Sequence, residues 1–255
     1  GIRDYKVTGV QTCALPIYLP FDGHTGLWRP PEPWRLARQL ERAGPVAALV
    51  LLDPTYQGLR AELQELVALA HRQPGPQGAG LPVLVDQAHG AGEALASGAD
   101  LVVISLQKAS GGLAQSALLL AQGPRVDCEA ISRGLLWLQT SSPSALLLAS
   151  TAAALEHHHS PAGRRQRQRA AARAADLRQR LERLDLPALA DTDPLRLVLP
   201  MAPLGIGGPA ADAWLLRRGV VAELPEPGAL TFCLGLEPPR GLERRLPRLL
   251  EALWR

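Results

Sequence analysis

The chain is expected to fold as an α/β layer followed by a smaller α+β unit, and three features of the sequence carry that expectation. Val46–Leu52, Val83–Asp86 and Leu101–Ser105 are short, near-continuous apolar runs, the pattern of parallel strands covered on both faces. Segments with helical spacing alternate with them, the order of a layered α/β fold. Beyond Asp185 the rhythm changes to short strands and two helices, and 255 residues suffice for one large core and one smaller one.

Residues 1–17 stand outside this pattern. Val7-Thr-Gly-Val-Gln-Thr-Cys-Ala-Leu-Pro-Ile17 back-translates into a common library-preparation oligonucleotide, so this segment is expected to be a translated sequencing adapter. The native protein would then begin upstream of Tyr18, and this chain would be its C-terminal part. From Tyr18 to Pro31, Pro and Gly predict a connecting loop. Glu32–Ala43 has helical spacing, with Trp34, Leu36, Leu40 and Ala43 on one stripe; Val46–Leu52 is the first strand. Leu59–Ala70 reads as a helix with Leu59, Leu63, Leu66 and Leu69 or Ala70 inward, and Gln73–Gly80 as a Pro/Gly loop. Then come Val83–Asp86, a helical piece at Glu93–Ser97, Leu101–Ser105 and a strand at Ser116–Ala121.

A helix is expected from about Asp127 to Leu138, and Pro143 would open another through Leu155, because the first helical turn has spare amides. Arg164–Leu184 carries eight arginines above a stripe of Ala170, Ala174, Leu177, Leu181 and Leu184, which reads as a solvated helix face rather than a nucleic-acid surface. Asp185–Pro194 is the expected boundary, dividing a large domain (18–184) from a small one (185–255). In the latter, Leu195–Leu199, Val220–Glu223 and Leu230–Leu234 are strand candidates, with helices at Ala210–Arg217 and Leu242–Trp254. Gly205-Ile-Gly-Gly208 lacks the full dinucleotide-binding fingerprint and reads as a turn.

Composition narrows the function classes. A hydrophobic content of 47% and a charged content of 20% are ordinary for a soluble globular chain, and a net charge of +3 is too small to argue for nucleic acid. No apolar run reaches membrane-spanning length and no charged-then-apolar leader opens the chain, so a cytoplasmic protein is expected. Cys13, Cys128 and Cys233 lack the spacing of a metal site or a disulfide framework. His157-His-His159 cannot face one ion from a helix and reads as a solvated helix end, so no metal is expected.

Of 27 Lys plus Arg, only Lys6 and Lys108 are lysines. The apolar run that begins at Leu101 stops at a polar turn carrying Lys108, where a desolvated amine can shed its proton and attack a carbonyl as arginine cannot. A genome poor in lysine codons, with one survivor landing here, explains its rarity equally well. The neighbouring run ends in Asp86, so two adjacent parallel strands would offer an amine and a carboxylate at the sheet edge where α/β folds bind ligands. Pyridoxal phosphate (PLP) needs this pair, an amine for its aldehyde and a carboxylate for its pyridinium nitrogen.

Several collinear segments carry a resemblance. Val50-Leu-Leu-Asp-Pro-Thr-Tyr-Gln-Gly58, Asp86-Gln-Ala-His-Gly-Ala91, Gly98-Ala-Asp-Leu-Val-Val-Ile-Ser-Leu-Gln-Lys108, Ala114-Gln-Ser-Ala-Leu-Leu119 and Leu138-Gln-Thr-Ser-Ser-Pro-Ser-Ala-Leu-Leu-Leu-Ala-Ser150 resemble successive motifs of the Orn/Lys/Arg decarboxylases. The match runs from about Asp22 to the C-terminus. The resemblance implies a fold-type I PLP-dependent large domain, incomplete at its N-terminus, a small α+β C-terminal domain, and decarboxylation of arginine, lysine or ornithine by a homodimer or larger homo-oligomer. Another fold-type I enzyme such as an aminotransferase, or a non-catalytic homologue, are the alternatives.

Carried over residue by residue, Lys108 would take the cofactor aldehyde and Asp86 would hold the ring nitrogen. His89, in Asp-x-Ala-His, would line the pocket, or be a plain loop histidine. Ser105 would donate to the cofactor phosphate, or bond the backbone at a strand end. Tyr56 would line the pocket, or close its turn as a half-buried aromatic. Thr140, Ser141 and Ser142 would reach the partner subunit's site, or cap the helix opened by Pro143. Gln107 stands where the family usually has histidine, and Gln87 where glutamate is common. The family's glycine-serine phosphate loop and its ring-stacking aromatic lie upstream of the matched region, so this polypeptide alone is expected to bind PLP weakly and to turn over nothing.

Overall fold

The computed structural model describes residues 21–254 apart from 24, 25, 77, 91, 92, 187, 190 and 191; residues 1–20, with the adapter-like segment, Lys6 and Cys13, lie outside the described residues. The expected loop before Pro31 contains a small antiparallel hairpin, β1 (Phe21–Asp22) and β2 (Leu27–Trp28). Helix α1 (Pro33–Ala43) has Pro in its first turn and buries Leu36 and Leu40. Trp34 does not join them: it is 53% exposed, beneath the Arg35 guanidinium and with its indole N–H donating to Glu32 at 2.5 Å.

The first sheet has four strands, β3 (Leu49–Leu52), β4 (Val83–Asp86), β5 (Leu101–Ser105) and β6 (Ala117–Ala121), in that spatial order. The first three run parallel and β6 pairs antiparallel to β5. Helix α2 (Leu63–His71) joins β3 to β4. Its expected start at Leu59 is wrong for a physical reason: the Leu59 N–H donates to Thr55 Oγ1, and Leu59 forms a bridge with Thr192 before the helix begins. A single 3₁₀ turn, Glu93–Leu95, replaces the helical piece expected at 93–97.

Leu36, Leu40, Leu66, Ala70, Val83, Val85, Val102 and Ile104 share one core on one face of this sheet. The opposite face is more open than its apolar runs predict, because burial alternates along β3 and leaves Val50 66% and Leu52 41% exposed. The short helix α3 (Leu106–Ala109) follows β5, then α4 (Cys128–Leu138), α5 (Ala145–His159) and α6 (Pro161–Glu182). Pro143 precedes the cap of α5 rather than opening its first turn, and Ser144 occupies that cap. The stripe expected beneath the arginines of α6 is real: Ala170, Ala174, Leu177 and Leu181 are buried, and Ser160 caps the helix by accepting from Gly163 N–H.

Beyond α6 an antiparallel sheet follows, β7 (Arg196–Pro200), β8 (Leu224–Glu226) and β9 (Ala229–Cys233), with β9 in the centre. Helices α7 (Gly208–Leu216) and α8 (Leu242–Trp254) cover it, α8 with the bounds expected. Leu177 and Leu181 of α6 pack into this second core with Leu197, Leu199, Leu215, Leu230 and Leu246. Val220–Glu223, expected as a strand, lies just before β8. A third, smaller cluster of Leu27, Leu59, Val198 and Ala229 ties the 53–59 loop to the second sheet.

Candidate active site

Strands β4 and β5 are parallel, with Asp86 opposite Val103, so Asp86 and the β5–α3 junction that carries Lys108 emerge at the same sheet edge. Asp86 is half-buried, and its Oδ1 accepts the Ala88 N–H at 3.0 Å, leaving Oδ2 as a second acceptor. Next to it, Gln87 is fully buried; its amide donates to Glu93 at 3.2 Å and accepts from Ala94 N–H at 3.2 Å. A glutamate there would face the Glu93 carboxylate, which accounts for the amide at this position. Lys108 is exposed, and its Nζ lies 3.1 Å from His89 Nε2.

His89 is the meeting point of the site. Its ring packs edge-on against Tyr56 with centroids 4.7 Å apart, and its Nδ1 receives a hydrogen bond from the Arg196 guanidinium. The Tyr56 hydroxyl donates to Glu223 at 2.5 Å, and that bond pushes the phenol above its ordinary range. Burial, followed by the positive charges of Arg196 and Lys108, pushes His89 down to about 4, with Asp86 and Glu223 opposing. A histidine held neutral in the fold but free to protonate when unfolded contributes stability above its ordinary pKa and loses it as pH falls toward 4. Stability is therefore expected to drop between about pH 6.5 and 4, by about 1–2 kcal/mol from this residue after allowance for solvent screening. Urea midpoints at both ends of that window should show the loss in the parent chain and a smaller one in His89→Gln.

A cleft of about 110 Å³ beside Lys108 and His89 is lined also by Arg167, Asp193, Leu195 and Arg196. Three of these charged side chains come from far along the chain and were missed in the sequence. Arg196 offered the one usable clue, a charge inside the apolar run Leu195-Arg-Leu-Val-Leu-Pro200; it is 9% exposed. The 53–58 loop approaches so closely that a Cβ on Gly58 (φ +92°) would lie 2.6 Å from the Arg196 side chain, so glycine is required there.

The other predicted residues are placed differently. Ser105 ends β5, paired with Ala117. Gln107 turns to the following loop, its Oε1 accepting the Gln115 N–H at 2.7 Å. Thr140, Ser141 and Ser142 are exposed in the turn between α4 and α5, where Thr140 Oγ1 accepts the Ser142 N–H at 3.2 Å; they do not cap α5. His158 is half-buried and lies 3.2 Å from Ser110 Oγ, which corrects its reading as part of a solvated end. Among the described residues no group of His, Cys, Asp and Glu has the arrangement of a metal site, and no helix is long and apolar enough to cross a membrane.

A primary amine and a carboxylate with an acceptor to spare leave one sheet edge, the pair that PLP requires on its aldehyde and ring-nitrogen sides, and the His89 imidazole stands beside the amine. Comparison with known proteins bears on the same point. The family profile described as Orn/Lys/Arg decarboxylase, major domain, matches residues 29–219. An arginine decarboxylase of Bacillus cereus is 30% identical over 200 residues, covering 71% of this chain and 42% of that protein. The chain spans about half the length of the curated relatives it matches. Two solved structures share the fold, that of the fold-type I PLP-dependent enzymes, at 19% identity. A serine palmitoyltransferase of S. paucimobilis with a bound PLP–myriocin aldimine has a TM-score of 0.67, covering 87% of this chain and 58% of the other. The constitutive lysine decarboxylase of E. coli has a TM-score of 0.59, covering 80% and 36%. An amine and a carboxylate leave adjacent parallel strands inside a profile match that takes in most of the sequence, and the chain therefore belongs to the Orn/Lys/Arg decarboxylase family.

Proposed function

We propose that this site serves the PLP-dependent decarboxylation of a basic amino acid, arginine, lysine or ornithine, to its amine and CO2. The observation that carries the reading is the convergence of Lys108 and Asp86 at one edge of the parallel strands, beside His89. When bound, PLP supplies an aldehyde and an electron-accepting ring. Lys108 would hold the aldehyde, and the free oxygen of Asp86 would keep the ring nitrogen protonated. His89, neutral and backed by Tyr56, would border the reacting atoms as a group that can hold or pass a proton.

The division into a large domain (18–184) and a small one (185–255), a homodimer or larger homo-oligomer, and a cytoplasmic setting belong to the same reading. Leu136, Trp137 and Leu138, each more than 80% exposed beside Thr140–Ser142, support association with further protein surface. One observation favours transamination instead: Arg167 and Arg196 line the cleft and would hold a carboxylate rather than release it. The test is product analysis, in a preparation that turns over substrate, with PLP and carboxyl-labelled arginine, lysine and ornithine. Labelled CO2 with the matching amine is expected; keto-acid formation without CO2 would overturn decarboxylation in favour of transfer.

A further inference from the structure

We infer that the second sheet carries a binding site of its own, a cavity between the end of β9 and the start of α8 that takes a small organic anion with an apolar body, its charged group held by Arg240 and Arg245. This cavity lies outside the cleft that holds Lys108, and the inference does not rest on the proposed function. The cavity measures about 300 Å³, at the lower end of the range of small-molecule sites, roughly 300–1,000 Å³. Its apolar wall is made by Val220, Val221, Phe232, Leu234 and Leu242. Phe232 and Leu234 are 5% and 6% exposed and belong to the second core, so that part of the wall is fixed by close packing. Val221 is 69% exposed, and an apolar ligand body laid against it would remove that surface from water.

Two guanidiniums stand on the same wall, and their surroundings hold them there. Arg245 donates through Nη2 to the Arg218 carbonyl, crossing Gly219, where a Cβ would lie 3.1 Å from that nitrogen. Arg240 follows Pro238 and Pro239, whose carbonyls both accept from Arg173 of α6, at 2.9 and 3.0 Å. The acidic residues on either side of them in the sequence are engaged elsewhere: Glu237 accepts from Gln166 at 3.0 Å, and Glu243 pairs with Arg173 at 3.3 Å. The bond that fixes Arg245 uses one of the five N–H donors of a guanidinium, which has no acceptor, so the group that completes this wall is an anion.

Positive charge at the mouth also sets this cavity apart from a site for basic amino acids, whose side chains the two arginines would repel. One residue joins the two places. Cys233 lines this cavity and the cleft beside Lys108 as well, and its Sγ touches the Arg196 guanidinium that also donates to His89. An anion bound here would therefore lie one side chain away from the contacts that hold His89, and Cys233 offers a reporter on the cavity wall.

The test needs no cofactor and uses the 255-residue chain as it is. Equilibrium dialysis measures binding of phenylpropionate and of phenyl phosphate, with uncharged phenylpropionamide as the control. Iodoacetamide labelling then locates the bound probe, because Cys233 should be protected while Cys128 on α4, also exposed, serves as the reference. Saturable binding of one anion per chain is expected, and the tighter of the two probes assigns the ligand to the carboxylates or to the phosphate esters. Arg245→Met is expected to weaken binding by about tenfold, the scale of losing one charge-assisted hydrogen bond, and Arg240→Met to weaken it as well. Should Arg245→Met disturb the turn at Gly219, Val221→Trp decides, since it fills the cavity from an exposed position and should abolish both binding and protection. Absence of saturable binding would overturn the inference. So would binding of the amide as tight as that of the anions, equal protection of Cys128 and Cys233, or full affinity in both arginine variants.

Discussion

Lys108→Ala is expected to abolish capture of PLP by borohydride reduction and, in any preparation that turns over substrate, to lower the rate by about a thousandfold or more, the scale of losing a covalent nucleophile. Lys6 is the chain's other lysine, so a peptide digest assigns the reduced adduct without ambiguity. Lys108→Arg should fail as completely, because a guanidinium stays protonated and cannot attack the aldehyde. Asp86→Asn separates the two halves of the site: the adduct at position 108 should survive, while turnover falls, since an amide does not hold the ring-nitrogen proton as a carboxylate does. Adduct formation in Lys108→Ala, or adduct at Lys6 alone in the parent chain, would remove Lys108 from its proposed role.

What could be read in the sequence follows the range of the interactions involved. Strands β4 and β5, with Asp86 and Lys108 at their ends, were legible because apolar runs and their polar stops are local and the strands are neighbours. Helix α8 was legible to the residue for a similar reason, its stripe of Leu246 and Leu250 being set by spacing alone. The rest of the site arises from contacts between distant segments. Tyr56 meets Glu223 across 167 positions and His89 meets Arg196 across 107, and nothing local in either partner announces the other.

Local chemistry also misled where a neighbour outweighed it. Val220-Val-Ala-Glu223 has strand composition, yet Val221 is 69% exposed and the ladder starts at Leu224-Pro-Glu226. A proline is tolerated there because β8 is an edge strand, where Pro225 lacks an N–H that the sheet does not need. Leu59 has the spacing of a helical stripe, but Thr55 and Thr192 take its backbone and it packs instead with Leu27 and Val198. Gln87 stands where the family commonly has glutamate, and its buried amide beside Glu93 gives that departure a structural reason.

Leu181→Ala is the second large expected effect, a loss of about 3 kcal/mol within the 2–5 kcal/mol range for truncating a buried leucine. Leu181 is fully buried in the last turn of α6, in the same cluster as Leu177 of that helix, Leu197 and Leu199 of β7, and Leu246 of α8. Removing its side chain leaves a void in a close-packed core, and the loss comprises both the transfer free energy of the missing methylenes and the unfilled space. The damage should also reach the site, because Arg178, one turn earlier, donates to the carbonyls of Asp193, Pro194 and Arg196 and so ties α6 to the segment that carries Arg196 into the cleft. Chemical denaturation should therefore show a lower midpoint for Leu181→Ala, together with a weaker hold of Arg196 on His89, seen as a change in the His89 ring-nitrogen chemical shifts. Leu138→Ala is the matched control, an 88% exposed leucine whose truncation is expected to stay within about half a kcal/mol of the parent. Equal midpoints for the two variants would mean that α6 and the second sheet do not share the core described here.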